Sequence, residues 1–261
     1  MVIMQYIIEY DPNNMFAGAR PVGFNYYYRG ISDINYELEP SLFRDLPSDI
    51  TAQQIKNIEQ EIFDEFKLYA IKENWLKSKP DEVDETLYLM CIGRHCGLKC
   101  RLLDWSADCK CALLFLASEN MDKDGCLWVL CTEPRYNSFR DNPLNVKCVS
   151  FVSENHWIYG SSNYEYIDKQ SKTHYSPLGV LKRHEQHGFF TVSDRNVDLK
   201  TELNKNGFKL ASIRVTKETK PVIRRRLSYM INTTFTNEEP KDDLKSLIDR
   251  LNAKVPTRNT K

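Results

Sequence analysis

The chain has 261 residues with 36 basic and 36 acidic side chains, so its formal net charge is zero. That balance excludes the broad basic coat of a general nucleic-acid binder and leaves room only for a local basic groove. Hydrophobic residues make up 41% of the chain, yet no stretch approaches the roughly 18–20 uninterrupted apolar residues of a membrane span.

The opening MVIMQYIIEYD lacks a basic leader region and breaks quickly into acid, so it reads as an edge strand over residues 2–9 and not as a signal peptide. The cytosol is the expected location. FNYYYRG at 24–30 is aromatic and β-prone, and Gly30 ends it. ISDINYELEPSLFRD follows as an irregular, ordered connector. Residues 51–77 predict a helix: Thr51 and Gln54 have the spacing of a capping box, and Ile55, Ile58, Ile62, Phe66 and Tyr69 recur every three or four positions. Acids in the first turn of 81–93 suit a second helix.

RHCGLKCRLLDWS at 94–106 packs a His, two Arg, two Cys, an Asp and a Trp into a predicted connector. Such a cluster beside apolar Leu102 and Leu103 is expected to fold inward and line a site. If it meets YYYRG at 26–30, the two make a pocket rich in guanidinium groups and aromatic rings, which suits a phosphate-bearing ligand. Ser106 or Asp108 caps a third helix running to about Ser118, apolar nearly all round and therefore deeply buried. GCLWVLC at 125–131 reads as a central strand. From 137 to 177 the pattern is weak, with VSFV at 149–152 the best strand candidate. HGFFTV at 187–192 and FKLASIRV at 208–215 are further strands, and 217–231 and 241–252 are closing helices. There is no internal repeat and no linker-like tract. The simplest partition is one α+β domain over 1–255 with a frayed tail at 256–261.

Eight cysteines are present, without the paired C-x-x-C spacing of a zinc site, and no metal is expected. Reduced, mostly buried thiols fit better, because three of them (Cys91, Cys126, Cys131) sit in apolar runs. A structural protein held by zinc through these thiols is the alternative. A Cys100–His95 nucleophile pair has no evident third group. Arg224, Arg225 and Arg226 read as a solvated helix face or a docking patch for an acidic partner or RNA.

The spaced blocks bear a family resemblance. YYYRG followed by Tyr36, Leu38, Pro40, Ser41, Phe43 and Arg44 resembles the opening of FRG domains. Arg94-His95-Cys96-Gly97-Leu98-Lys99-Cys100-Arg101-Leu102-Leu103-Asp104-Trp105-Ser106, with Ala112–Ala117 after it, resembles that family's next block. Arg183, Gln186, Gly188 and Phe190 resemble a third. Arg94 stands where the family usually has Gln, and Lys99-Cys100 replaces Pro-Thr.

The order of the blocks is in turn similar to the ADP-ribosyltransferase fold, which implies N-terminal helices packed on a split, mostly antiparallel sheet. It also implies NAD as substrate, with ADP-ribose transferred to a macromolecular acceptor (protein or nucleic acid) or NAD hydrolysed, and a role as an intracellular toxin or defence effector. Arg29, Arg101 and Arg183 would fork onto the pyrophosphate. Gly30 would let the backbone approach it, with His95 beside the ligand. Trp105, Tyr27 or Tyr28 would offer a ring face. Asp104 or Glu185 would stabilise oxocarbenium character on the ribose, and Gln186 would hold its hydroxyls. Two other readings stand beside this: Arg29 and Asp104 as an internal ion pair, and the chain as a catalytically inactive nucleotide- or nucleic-acid-binding module of the same fold.

Overall fold

A computed structural model describes residues 25–44, 46–78, 85–106, 108–132, 157–160, 188–192, 209–231 and 242–258. Within them the chain is α+β. The strands are β1 (Asn25–Ile31), β2 (Leu102–Ser106), β3 (Gly125–Thr132), β4 (Trp157–Gly160), β5 (Gly188–Val192) and β6 (Lys209–Val215). The α-helices are α1 (Ala52–Lys72), α2 (Glu85–His95), α3 (Cys109–Leu116), α4 (Lys220–Arg226) and α5 (Asp242–Asn252). No helix among the described residues is long and apolar enough to cross a membrane.

Local chemistry explains the helix starts. The Thr51 N–H donates to Gln54 Oε1 at 2.8 Å, and the Gln54 N–H donates back to Thr51 Oγ1 at 3.2 Å. This reciprocal pair satisfies two N–H groups the helix cannot bond internally. Asp108, not Ser106, caps α3, accepting from the Lys110 N–H at 2.9 Å. The first helix stops at Lys72, and a short 3-10 turn (Trp75–Ser78) carries the chain on.

The strands lie in the order β4-β5-β2-β1-β3-β6, and every registered pair is antiparallel. β1 runs alongside β3 from Asn25↔Thr132 to Ile31↔Cys126. Among the described residues it registers against β2 at Tyr28↔Ser106 alone. Those residues form two three-stranded halves joined at that position, and β1 and β2 part beyond it toward Arg29 and Asp104.

Alternation along β1 sorts its side chains. Tyr28 faces α3 and α4 with Leu127, Val215, Leu113, Ile223 and Leu227. Tyr27 points the other way, toward Leu103, Trp105 and Leu130. A third cluster joins α1, α2 and α5 through Ile62, Phe66, Met90 and Ile248, and reaches Leu98, Cys100 and Leu102.

Two expectations change. Residues 102–106 are not a connector: Leu102, Leu103 and Trp105 are buried on both faces, so the segment is an interior strand. A strand absent from the sequence reading, Trp157–Gly160, pairs with β5. The strands expected at 2–9 and 149–152 lie outside the described residues.

Candidate anion-binding site

Where β1 and β2 separate, Arg29 bridges them: its Nη1 donates to Asp104 O at 2.7 Å and lies 3.4 Å from Oδ2 of the same residue. The last turn of α2 brings a second guanidinium from the other side. Arg94 donates to Asp104 Oδ2 from Nε at 2.9 Å and from Nη2 at 2.6 Å. Its remaining nitrogen, Nη1, donates to Ser41 Oγ at 3.2 Å. Ser41 in turn accepts from the Cys100 N–H at 3.3 Å, which ties the 40–44 turn to the start of β2.

One carboxylate thus faces two guanidiniums. A third, Arg44, is close enough to repel the charge on Arg29, while its Nε donates to Glu39 O at 3.1 Å. His95 adds further positive potential near Asp104. The cluster is not sealed: the side chains of Arg29, Arg94 and Asp104 are 14%, 19% and 37% exposed. Arg29 Nε is buried with no hydrogen-bond partner among the described residues. Such an arrangement carries more positive than negative charge, with guanidinium edges that match a phosphate or carboxylate.

Burial by itself would raise the Asp104 carboxyl. The charges of Arg94 and then Arg29 overcome it and hold the group well below the usual carboxylate range. A depressed folded value means the unfolded chain binds the extra proton first as pH falls. Asp104 therefore adds stability above the ordinary carboxylate range near pH 4 and loses it as pH drops through that range toward the folded value. Solvent screening at 37% exposure keeps the effect on the order of 1 kcal/mol. Urea midpoints between pH 7 and pH 3 should fall more steeply for the native chain than for Asp104→Asn.

Other residues singled out from the sequence sit elsewhere. Arg101 is turned into the interior, where its Nε donates to Glu59 Oε2 at 2.8 Å and Oε1 at 3.1 Å, and its Nη2 also donates to Oε2. Where a pyrophosphate contact is expected from the sequence, its fork grips a carboxylate of α1. Trp105 is 3% exposed and its Nε1 donates to Thr191 Oγ1 at 3.0 Å, so it offers no ring face to a ligand. Tyr28 is likewise buried, against α3. At Gly30 the group that comes close is the Ala112 carbonyl of α3, so the missing Cβ serves helix packing.

Burial pushes the Cys100 thiol up to about 12, which removes it as a thiolate nucleophile at neutral pH. All seven cysteines among the described residues are free thiols, and no three His, Cys, Asp or Glu among those residues gather as a metal site requires. Arg183, Glu185 and Gln186 lie outside the described residues.

From the sequence Arg94 enters only as a member of the 94–106 cluster and Ser41 only as part of the family block, neither with a role of its own. The available signal was positional: Arg94 lies in the last turn of a helix, three residues before Gly97, and Ser41 follows a proline in the turn ahead of α1.

No curated protein and no solved structure matches this chain. The family model of the FRG domain matches residues 24–125, the segment that contributes Arg29, Ser41, Arg94 and Asp104, and this match supports the FRG family.

Proposed function

We propose that the chain consumes NAD, transferring ADP-ribose to a macromolecular acceptor or hydrolysing the dinucleotide, with the pyrophosphate held at the Arg29–Arg94 cluster. The observation that carries this reading is the convergence of Arg29 and Arg94 on the single, partly exposed carboxylate of Asp104, with Arg44 near Arg29. Phosphate recognition needs such fixed, directional cations. The FRG match, taken with the resemblance in block order to ADP-ribosyltransferases read from the sequence, favours NAD among phosphate-bearing ligands. The acceptor is a protein or nucleic acid, in a defence or toxin role. Asp104 acts in this scheme by orienting the guanidiniums, and Glu185 or Gln186 remains the candidate group at the ribose.

One observation favours a second reading, a nucleotide-binding module without turnover. Asp104 Oδ2 is already engaged by two guanidiniums, so its charge is poorly placed to stabilise an oxocarbenium ion.

The test uses the full chain with NAD labelled in the nicotinamide, with and without cell extract, beside calorimetry with unlabelled NAD. Release of nicotinamide is expected from the native chain. Arg29→Ala and Arg94→Ala should each weaken binding by roughly 10–100-fold, the worth of a charged hydrogen bond. Binding without release selects the second reading, and no binding of NAD or ADP-ribose rejects both.

A further inference from the structure

The FRG match ends at residue 125, yet a side chain at the far end of the described chain grips the middle of the candidate site. Asn252 is the last residue of α5. Its Nδ2 donates to Gly97 O at 3.0 Å, and its Oδ1 accepts from the Lys99 N–H at 2.7 Å. Residues 96–101 are the only covalent link between the helix that carries Arg94 and the strand that carries Asp104.

The turn they make is tightly specified at its start. Gly97 has φ +92°, its N–H donates to Arg94 O at 3.1 Å, and the Leu98 N–H donates to Gly93 O at 2.8 Å. These bonds end α2 but leave the Gly97 carbonyl and the Lys99 N–H without backbone partners among the described residues. A primary amide supplies a donor and an acceptor in one plane, and Asn252 meets both.

We infer that Asn252 is a positioning residue for the Arg94–Asp104 pair, acting through the Gly97–Lys99 turn. Helix α5 has ample anchorage of its own. Leu244, Ile248 and Leu251 are buried in the α1–α2 cluster, Arg250 pairs with Glu65 of α1 at 2.5 Å, and Lys254 pairs with Glu61 at 2.6 Å and with Glu65. The amide clamp is therefore not needed to dock the helix. What it fixes is the turn, and with it the offset between the end of α2 and the start of β2. The C-terminal helix thereby becomes part of the site. For ligand affinity this inference rests on the anion-binding reading above; for the geometry of the ion pair it does not.

The experiment follows the Asp104 carboxyl by carbon NMR across a pH titration in the full chain, with inorganic pyrophosphate affinity measured alongside. Asn252→Ala should raise the Asp104 midpoint by about one pH unit as the Arg94 contact loosens, and weaken pyrophosphate roughly tenfold. Asn252→Gln keeps both amide functions and should lie nearer the native values. Lys254→Ala, which cuts the ion pairs of the same helix end, should lower the melting temperature and leave the midpoint in place. Should Asn252→Ala fail to fold, Asn252→Ser, whose shorter hydroxyl lacks the paired donor and acceptor geometry of the amide, carries the same comparison. A lower melting temperature with an unmoved Asp104 midpoint overturns the inference. Failure of native protein to bind pyrophosphate counts against the anion-binding reading alone, and the carboxyl titration still decides the role of Asn252.

Discussion

Truncating Glu59 to Ala is expected to destabilise the chain by roughly 3–5 kcal/mol, because it strands a buried guanidinium. Glu59 is fully buried in the middle of α1, and Arg101, immediately before β2, is 8% exposed. Both Glu59 oxygens accept from Arg101. Removing the carboxylate takes the Glu59 counter-charge from a buried guanidinium. Replacing both partners with apolar groups of similar size, Glu59→Leu with Arg101→Met, should restore most of the loss, since the desolvation of two charges vanishes along with their attraction. Urea denaturation of the two single variants and the double variant measures this. The double variant also separates structure from ligand binding at Arg101. If it folds and binds NAD as the native chain does, Arg101 is an internal strut. If it folds and loses NAD, the guanidinium reaches a ligand after all.

That strut shows where residue types are legible and where their partners are not. Arg101 and Asp104 stood out because charged residues beside Leu-Leu and Trp demand partners. Their pairing depends on which helix covers which end of β2. Glu59 falls on the apolar stripe of α1, one position after Ile58, and a lone acid there reads as exposed until the stripe is placed against β2. The pairing of Arg29 with Asp104 was readable because aromatic-Arg-Gly and Leu-Leu-Asp-Trp are both short, β-prone and adjacent to tight turns. The contribution of Arg94 was not, since a basic residue at a helix C-terminus is explained by the helix dipole alone.

The elements divide along the same line. The period of α1 and its capping box were plain in the sequence, and so were the strands at 125–131, 187–192 and 208–215. LLDWS reads as a connector because four of its five residues are buried, on both faces, and show no alternation, and a preceding Gly and a following cap suggest a loop. WIYG was missed because four residues between polar segments give too short a window for any period. Trp105 was assigned to a ligand when its neighbours across the sheet, Tyr27 and Leu130, already enclose it. Those neighbours come from 78 residues before it in the chain and 25 after, a proximity that only the sheet order creates.

Gly30→Ala should be at least as damaging as the loss of Glu59's carboxylate, and for a steric reason. A Cβ at position 30 would press well inside contact distance of the Ala112 carbonyl oxygen, with the Ala112 carbonyl carbon and Leu116 Cβ each at 2.9 Å. The obstructing atoms are helix backbone, so no rotamer change relieves them; β1 and α3 must move apart. Overpacking of side chains costs about 1–3 kcal/mol, and displacing a backbone pair costs more. The Arg29 side chain lies on the opposite face of β1, one residue away, so a displaced strand would also shift the guanidinium from Asp104. Gly97→Ala is the contrasting variant. Its φ of +92° is strained for alanine, but the nearest atom, on Ile248, is 4.0 Å away, so the cost should stay near 1 kcal/mol. Thermal denaturation of the two variants, with NAD binding measured on whatever folds, checks the assignment. A Gly30→Ala protein that melts like the native chain yet no longer binds NAD would reverse it, and would put the glycine against the ligand instead of against α3.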